Sequence, residues 1–427
     1  MRMNKRTVAF GAGALLLVVG LIATSAIVSD PNPEPVAQPK PHHNPAKAYW
    51  ADGTELDLSQ PNDWMIWDRA RFELEAVGIR EGELGQWGYA IQLTVDPKVQ
   101  RIAEAAVDAA RAAQPGNLRT ALVAVDPKTG GIVAYKAYQE EKQQFDYAAA
   151  WHNPGSAFTP FTLIALLHKG KGLDETYDGR SGRKFGGAVV NNSEGDCSEQ
   201  CTVAEAMKSS VNTVFADIAF NEVGLKAVAT AAIEAGIPPN IGVRAQPLES
   251  QPDLNIAVGG GKYVARPIDM AGAYATLAAN GVKRRPHIVA AVKQASELIY
   301  DGGATSAGKP AFDPGDPATN AKIARTVTES LLPAGLPCAE SRPCAGKPGV
   351  HSCGNTQKTQ QGDSCSAWMV GYTSQISTAV WFGSDDNSAH KDKTGAAITG
   401  KGLPGQVWKQ FMDEYLKGKP VEQFPAF

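Results

Sequence analysis

Between Val8 and Val28 the chain carries no charged residue (VAFGAGALLLVVGLIATSAIV), and Arg2, Lys5 and Arg6 precede that run. A helix rising about 1.5 Å per residue could cross a hydrocarbon core over this length. Cations on the N-terminal side favour an inside N-terminus and an outside remainder. The run is longer than the apolar stretch of a cleaved signal peptide, although Thr24-Ser25-Ala26 is a passable cleavage site and keeps that alternative open. The expectation is a cytoplasmic N-terminus over 1–7, a single-pass anchor in the cytoplasmic membrane over 8–28, and everything else extracytoplasmic. With no cysteine near the run, a lipid-modified N-terminus is excluded. Residues 29–47 are polar and Pro-rich, as in a semi-extended stalk. His42 and His43 lie in this stalk and read as solvated.

The remainder has a globular composition. Of 427 residues, 43% are hydrophobic and 20% charged, too apolar for global disorder. A net charge of −3 excludes the basic excess of a nucleic-acid binder. All six cysteines fall in three close pairs, Cys197/Cys201, Cys338/Cys344 and Cys353/Cys365. An even count in an exported chain reads as disulfides, with local pairing the simplest of 15 connectivities. Zinc is the competing reading, but the spacings lack paired knuckles and no His sits at ligand spacing.

Residues 48–88 form a small connector segment, with a strand-turn signal at Tyr49–Leu56 and a helical period over Trp64–Val77. From 89 a strand (91–95) ends at Asp96-Pro97, and an amphipathic helix follows over 99–113. TALVAV (120–125) and IVAYKAY (132–138) read as a hairpin. A helix-rich stretch runs to about 280, and the Gly/Pro-rich 282–350 region reads as loop-dominated. AWMVGYT (367–373) and ISTAVWFG (376–383) form a second hairpin before a final helix over 404–417. Strands from both ends around a helical middle predict an α+β domain over 89–427, an antiparallel sheet packed with helices.

The blocks LTVDPKVQ (93–100), ALVAVDPKTGGIVAY (121–135), PGSAFTPFT (154–162), AEAMKSSVNTVF (204–215), MAGAYATLAANG (270–281), AWMVGYTSQISTAVWFG (367–383) and LPGQVWKQFM (403–412) carry a resemblance. From Tyr89 onward the chain resembles the transpeptidase domain of penicillin-binding proteins, a serine β-lactamase-like fold whose members cross-link peptidoglycan through an acyl-serine. The segment before Tyr89 resembles the connector of class A enzymes, and the stretch after the anchor is too short for their glycosyltransferase domain. The resemblance implies no cofactor and no metal. Its ligands would be a cell-wall peptide or a β-lactam, its partners a cell-wall synthase or division proteins.

Three motifs carry the family's chemistry. The first is Ser-x-x-Lys, in which the lysine, one helical turn after the nucleophile, takes its proton. Ser156 holds the nucleophile place, but Thr159 stands where the lysine belongs. Losing a positioned general base costs about 10²–10⁴ in rate. The second, Ser-x-Asn, is intact as Ser210-Val211-Asn212. Its serine relays a proton and its asparagine holds the substrate amide, unless Asn212 simply caps the following helix. The third, Lys-Thr-Gly, belongs on an inner strand before the AWMVGYT hairpin. Two registers fit: Asn355-Thr356-Gln357 loses lysine and glycine, and Lys358-Thr359-Gln360 loses only the glycine. Either way a glutamine crowds the groove.

The expected function is a penicillin-binding-protein-like pseudo-transpeptidase acting as scaffold or regulator. The alternative is an active D,D-transpeptidase or carboxypeptidase with Ser156 activated by Lys358 or His152. The bland reading fits the other candidates. His152 reads as packing, Lys169, Lys171 and Lys208 as solvated, Gly259-Gly260-Gly261-Lys262 as tight packing, and Asp392 between Lys391 and Lys393 as a charged loop.

Overall fold

A computed structural model describes residues 44–112, 114–137, 145–193, 196–353, 364–385 and 388–426. The cytoplasmic segment, the 8–28 anchor and most of the stalk lie outside the described residues. Among the described residues no helix is long and apolar enough to cross a membrane.

Seventeen of the ordered elements position the site and its supports. In chain order they are β1 (Lys47–Tyr49), α1 (Pro61–Ala76), β2 (Tyr89–Leu93), α2 (Pro97–Arg111), β3 (Arg119–Val125), β4 (Ile132–Ala137) and α3 (Thr159–His168). Next come α4 (Val203–Ser209), α5 (Asn212–Asp217), α6 (Pro267–Ala278), β5 (Val289–Gln294), β6 (Glu297–Asp301) and α7 (Pro317–Leu331). The last four are β7 (Ala345–Ser352), β8 (Ser364–Tyr372), β9 (Ser377–Gly383) and α8 (Leu403–Leu416).

The central sheet is antiparallel, in the order β7-β8-β9-β3-β4. Its strands are apolar on both faces because helices cover both. In β3, Ala121, Val123 and Val125 join the helical core, while Leu122 and Ala124 pack with α2 and α8. β9 splits the same way, Ala379 and Trp381 against Val380 and Phe382. A period of two with apolar residues at both phases produces the unbroken runs seen in the sequence. The expected α+β fold, helices on an antiparallel sheet, is present, and so are both hairpins.

α2 forms as expected but two residues earlier than the predicted 99–113 span. Pro97 opens it, and the Asp96 carboxylate accepts from the N–H groups of Lys98 (2.7 Å) and Val99 (3.2 Å). The 282–350 region differs from the loop-dominated expectation: it holds β5, β6, α7 and β7. Here Pro317 starts a helix rather than breaking one, with Asp316 as its cap. The connector also joins this region, since β1, β2, β5 and β6 form one four-stranded sheet, β1 and β2 parallel.

Glu73 on α1 fastens that sheet. Its buried carboxylate accepts from the N–H groups of Ile288 (2.8 Å) and Val289 (3.2 Å). Glu73→Ala strands both donors and is expected to lower stability by about 2 kcal/mol. A shift of the urea midpoint without a change in slope checks this.

Candidate active site

Ser156 sits in a single 3₁₀ turn, Gly155–Phe158, that runs straight into α3. The turn is clamped by glycines. Gly155 has φ 55°, its N–H donates to the Gly259 carbonyl at 3.1 Å, and a Cβ there would strike the Val350 backbone. Gly259 has φ 65°, and a Cβ on it would come within 2.7 Å of Phe158 Cβ. The reading of Gly259–Lys262 as tight packing therefore fits, and Lys262 is spent on the Gln251 carbonyl at 2.6 Å. Ser156 is only 8% exposed, and its hydroxyl makes no hydrogen bond among the described residues.

Thr159, one turn later, is committed to the backbone. Its hydroxyl donates back to the Ser156 carbonyl at 2.8 Å and lies 3.5 Å from Met207 Sδ. Threonine three residues into a turn commonly bonds this way. Thr159 is 1% exposed, so its hydroxyl and methyl are enclosed beside the Met207 thioether.

α4 and α5 present the second motif. Ser210 closes α4 in the left-handed region (φ 57°, ψ 45°), uncommon for a non-glycine residue, and is buried. Asn212 is the first residue of α5, not its cap: Val211 occupies the cap position without a side-chain bond. The Asn212 amide donates to the Asn191 carbonyl at 3.0 Å. Capping falls to Asn192, whose Oδ1 accepts from Thr213 N at 3.0 Å and Thr213 Oγ1 at 3.2 Å. Its amide in turn donates to the Gly179 carbonyl at 2.8 Å, next to the Cys197–Cys201 disulfide. Asn192 carried no signal in the sequence, being distant from the helix it caps.

All three disulfides are local: Cys197–Cys201, Cys338–Cys344 and Cys353–Cys365. Each sulfur bonds its neighbour and is removed as a metal ligand.

The strand beside Ser156 is β7, and it carries Lys347-Pro348-Gly349. Lys347, 1% exposed, donates from Nζ to Ser210 Oγ at 2.7 Å and approaches the Pro348 carbonyl at 3.4 Å. Gly349 allows close approach to the turn, since a Cβ on it would strike the Pro154 carbonyl and come within 2.7 Å of Ala157 N. β7 is the edge strand of its sheet, not an inner one. The third-motif candidates Asn355, Thr356, Gln357, Lys358 and Thr359 lie outside the described residues, past the end of β7. Sequence reasoning did not single out Lys347, whose one local signal is a Lys-x-Gly just ahead of the hairpin.

His152 is no substitute base. Its ring stacks on Trp381 at 3.6 Å, and its Nε2 donates to the Tyr147 carbonyl at 3.1 Å. Burial pushes its pKa down to about 3, so the folded protein keeps it neutral where an unfolded chain protonates near 6.5. The sign follows from linkage: below about pH 6.5 the unfolded state binds the proton, so stability falls as pH drops toward 3. His152→Phe is expected to flatten that acid limb, checked by urea unfolding at several pH values.

The remaining lysines stay structural. Lys169 and Lys208 are exposed, and Lys171 pairs with Glu222 at 2.5 Å. Asp392 caps its own turn through Thr394, whose hydrogen bonds hold its carboxyl below the usual range.

The arrangement sets a shielded Ser156 beside a strand whose buried Lys347 donates to Ser210. Comparison with known proteins agrees with the fold. The sequence profile of the penicillin binding protein transpeptidase domain matches residues 120–412. Penicillin-binding protein 1A of Mycolicibacterium smegmatis is 37% identical over 366 residues, 82% of this chain and 44% of that protein. Penicillin-binding protein 1A of Mycobacterium tuberculosis is 35% identical over 384 residues, 87% of this chain and 45% of that protein. The chain thus spans less than half the length of these relatives. A structure of PonA1 from Mycobacterium tuberculosis in complex with penicillin V superposes with a TM-score of 0.76 at 34% identity, covering 86% of this chain and 96% of that one. With the profile spanning most of the chain and relatives this similar, the chain belongs to the penicillin-binding protein transpeptidase family.

Proposed function

We propose that this chain is a membrane-anchored protein of cell-wall biogenesis that keeps the docking side of the transpeptidase site and has lost efficient acylation. It acts as a scaffold or regulator beside active synthases or division proteins. The carrying observation is the Thr159 hydroxyl, committed to the Ser156 carbonyl at 2.8 Å at the position where the family carries its lysine. Ser156 keeps the nucleophile position, and Asn212 the place from which the family's asparagine holds the substrate amide.

We read Lys347-Pro348-Gly349 as the chain's version of the third motif, on the strength of its strand position and the Lys347–Ser210 contact. Lys347 then supplies the cation that attracts a peptide or penicillin carboxylate. Pro348 contributes neither hydroxyl nor N–H to the strand, which weakens docking without abolishing it. Calorimetric titration of the full chain with penicillin G tests this reading. Reversible binding with intact drug recovered is expected; turnover to the hydrolysed drug contradicts it. Crosslinking in membranes should recover a synthase or division protein, and recovering none counts against the scaffold role.

One observation favours a second reading, an active enzyme. The Lys347 amine touches Ser210, so Ser210 could pass a proton from Ser156 to Lys347. Acylation that disappears in both Ser156→Ala and Lys347→Met would establish that reading.

A further inference from the structure

The whole chain has a net charge of −3, yet one cavity gathers six cationic side chains against a single acidic one. It encloses about 550 Å³ and is walled by Arg69 of α1, residues near the start of α6 and the 283–309 stretch. Five of its cations are Arg69, Lys283, Arg284, Arg285 and Lys309. Its acidic lining residue, Asp269, is already occupied: Arg266 donates to both carboxylate oxygens, at 2.6 and 2.7 Å.

Arg69 is the most informative of the five. It makes no hydrogen bond or ion pair among the described residues, and its Nε is buried without a partner. The nearby Asp146 carboxylate is held instead by the Tyr135 hydroxyl, at 2.6 and 2.8 Å. Buried donors are nearly always satisfied, so the Arg69 Nε, whose guanidinium feels the Asp146 charge without a hydrogen bond to it, points to a missing acceptor. Lys283 offers its amine to a single carbonyl, Ile233 O at 3.2 Å. Burial and the neighbouring Lys309 hold its pKa below the ordinary lysine range, against an opposing pull from Glu234.

We infer that this cavity binds a ligand bearing phosphate groups. The volume falls in the small-molecule range and is too small for a folded partner. Guanidinium forks match phosphate oxygens two at a time, and several cations balance more negative charge than one carboxylate brings. The cavity's lining includes none of Ser156, Ser210 and Lys347, so this site is separate from the transpeptidase groove.

Calorimetric titration of the full chain with inorganic pyrophosphate should show one-site binding that weakens with added salt. Arg69→Gln and Arg285→Ala should each weaken it at least tenfold. Arg285 is exposed, so its variant tests binding without risking the fold. Phosphatidylglycerol vesicles form a second arm: capture weakened by Arg285→Ala, without pyrophosphate binding, assigns the phosphate to a lipid headgroup. Pyrophosphate binding assigns it to a soluble or polymer-borne group. Equal binding of citrate, binding of neither probe, or affinity unchanged in both variants overturns the inference.

Discussion

Thr159→Lys is expected to speed labelling of Ser156 by a fluorescent penicillin about 100-fold or more. On the proposed reading, the rest of the acylation geometry is in place. The turn carrying Ser156 is clamped between Gly259 and β7, and Ser210 is already engaged by Lys347. On that reading, what is missing is a direct acceptor for the serine proton one turn along α3. A lysine at 159 lies one turn along the same face, with Met207 as its near neighbour. Burial beside a thioether lowers an amine's pKa towards neutrality, which suits a general base. Labelling rates read from a gel check this, with the Ser156→Ala/Thr159→Lys double variant as the blank. If Thr159→Lys labels no faster than the wild type, the limiting defect lies in β7, where Pro348 replaces a threonine.

Lys347→Met is expected to weaken reversible penicillin binding about 30-fold or more. Removing one partner of a buried, hydrogen-bonded charge pair costs about 2–5 kcal/mol, and each 1.4 kcal/mol is tenfold in affinity. Methionine keeps the straight-chain volume in a site only 1% exposed, so loss of charge, not a cavity, accounts for the effect. Titration of both proteins with the same penicillin reads it directly. Unchanged affinity would remove Lys347 from the docking site and return the third motif to residues 355–360.

The sheet was legible because its physics is local. β3 and β9 alternate between two buried faces, so residues 121–125 and 379–382 are apolar at every position, and Asp96-Pro97 marks the start of α2. The 282–350 region was hidden by its glycines and prolines, which here begin a helix and allow close packing instead of making loops. Thr159 stood out because it lies one turn from Ser156. Lys347 did not, because its importance rests on a contact with a residue 137 positions away, and Lys358-Thr359 spelled the motif more closely. The cavity cations are likewise scattered from Arg69 to Lys309 and meet only in the fold.

Intact-mass spectrometry of the wild-type full chain after incubation with penicillin G tests the central claim most directly. The account predicts an unmodified mass over minutes at drug concentrations that saturate reversible binding. A single penicilloyl adduct on Ser156 at near-stoichiometric yield would contradict it.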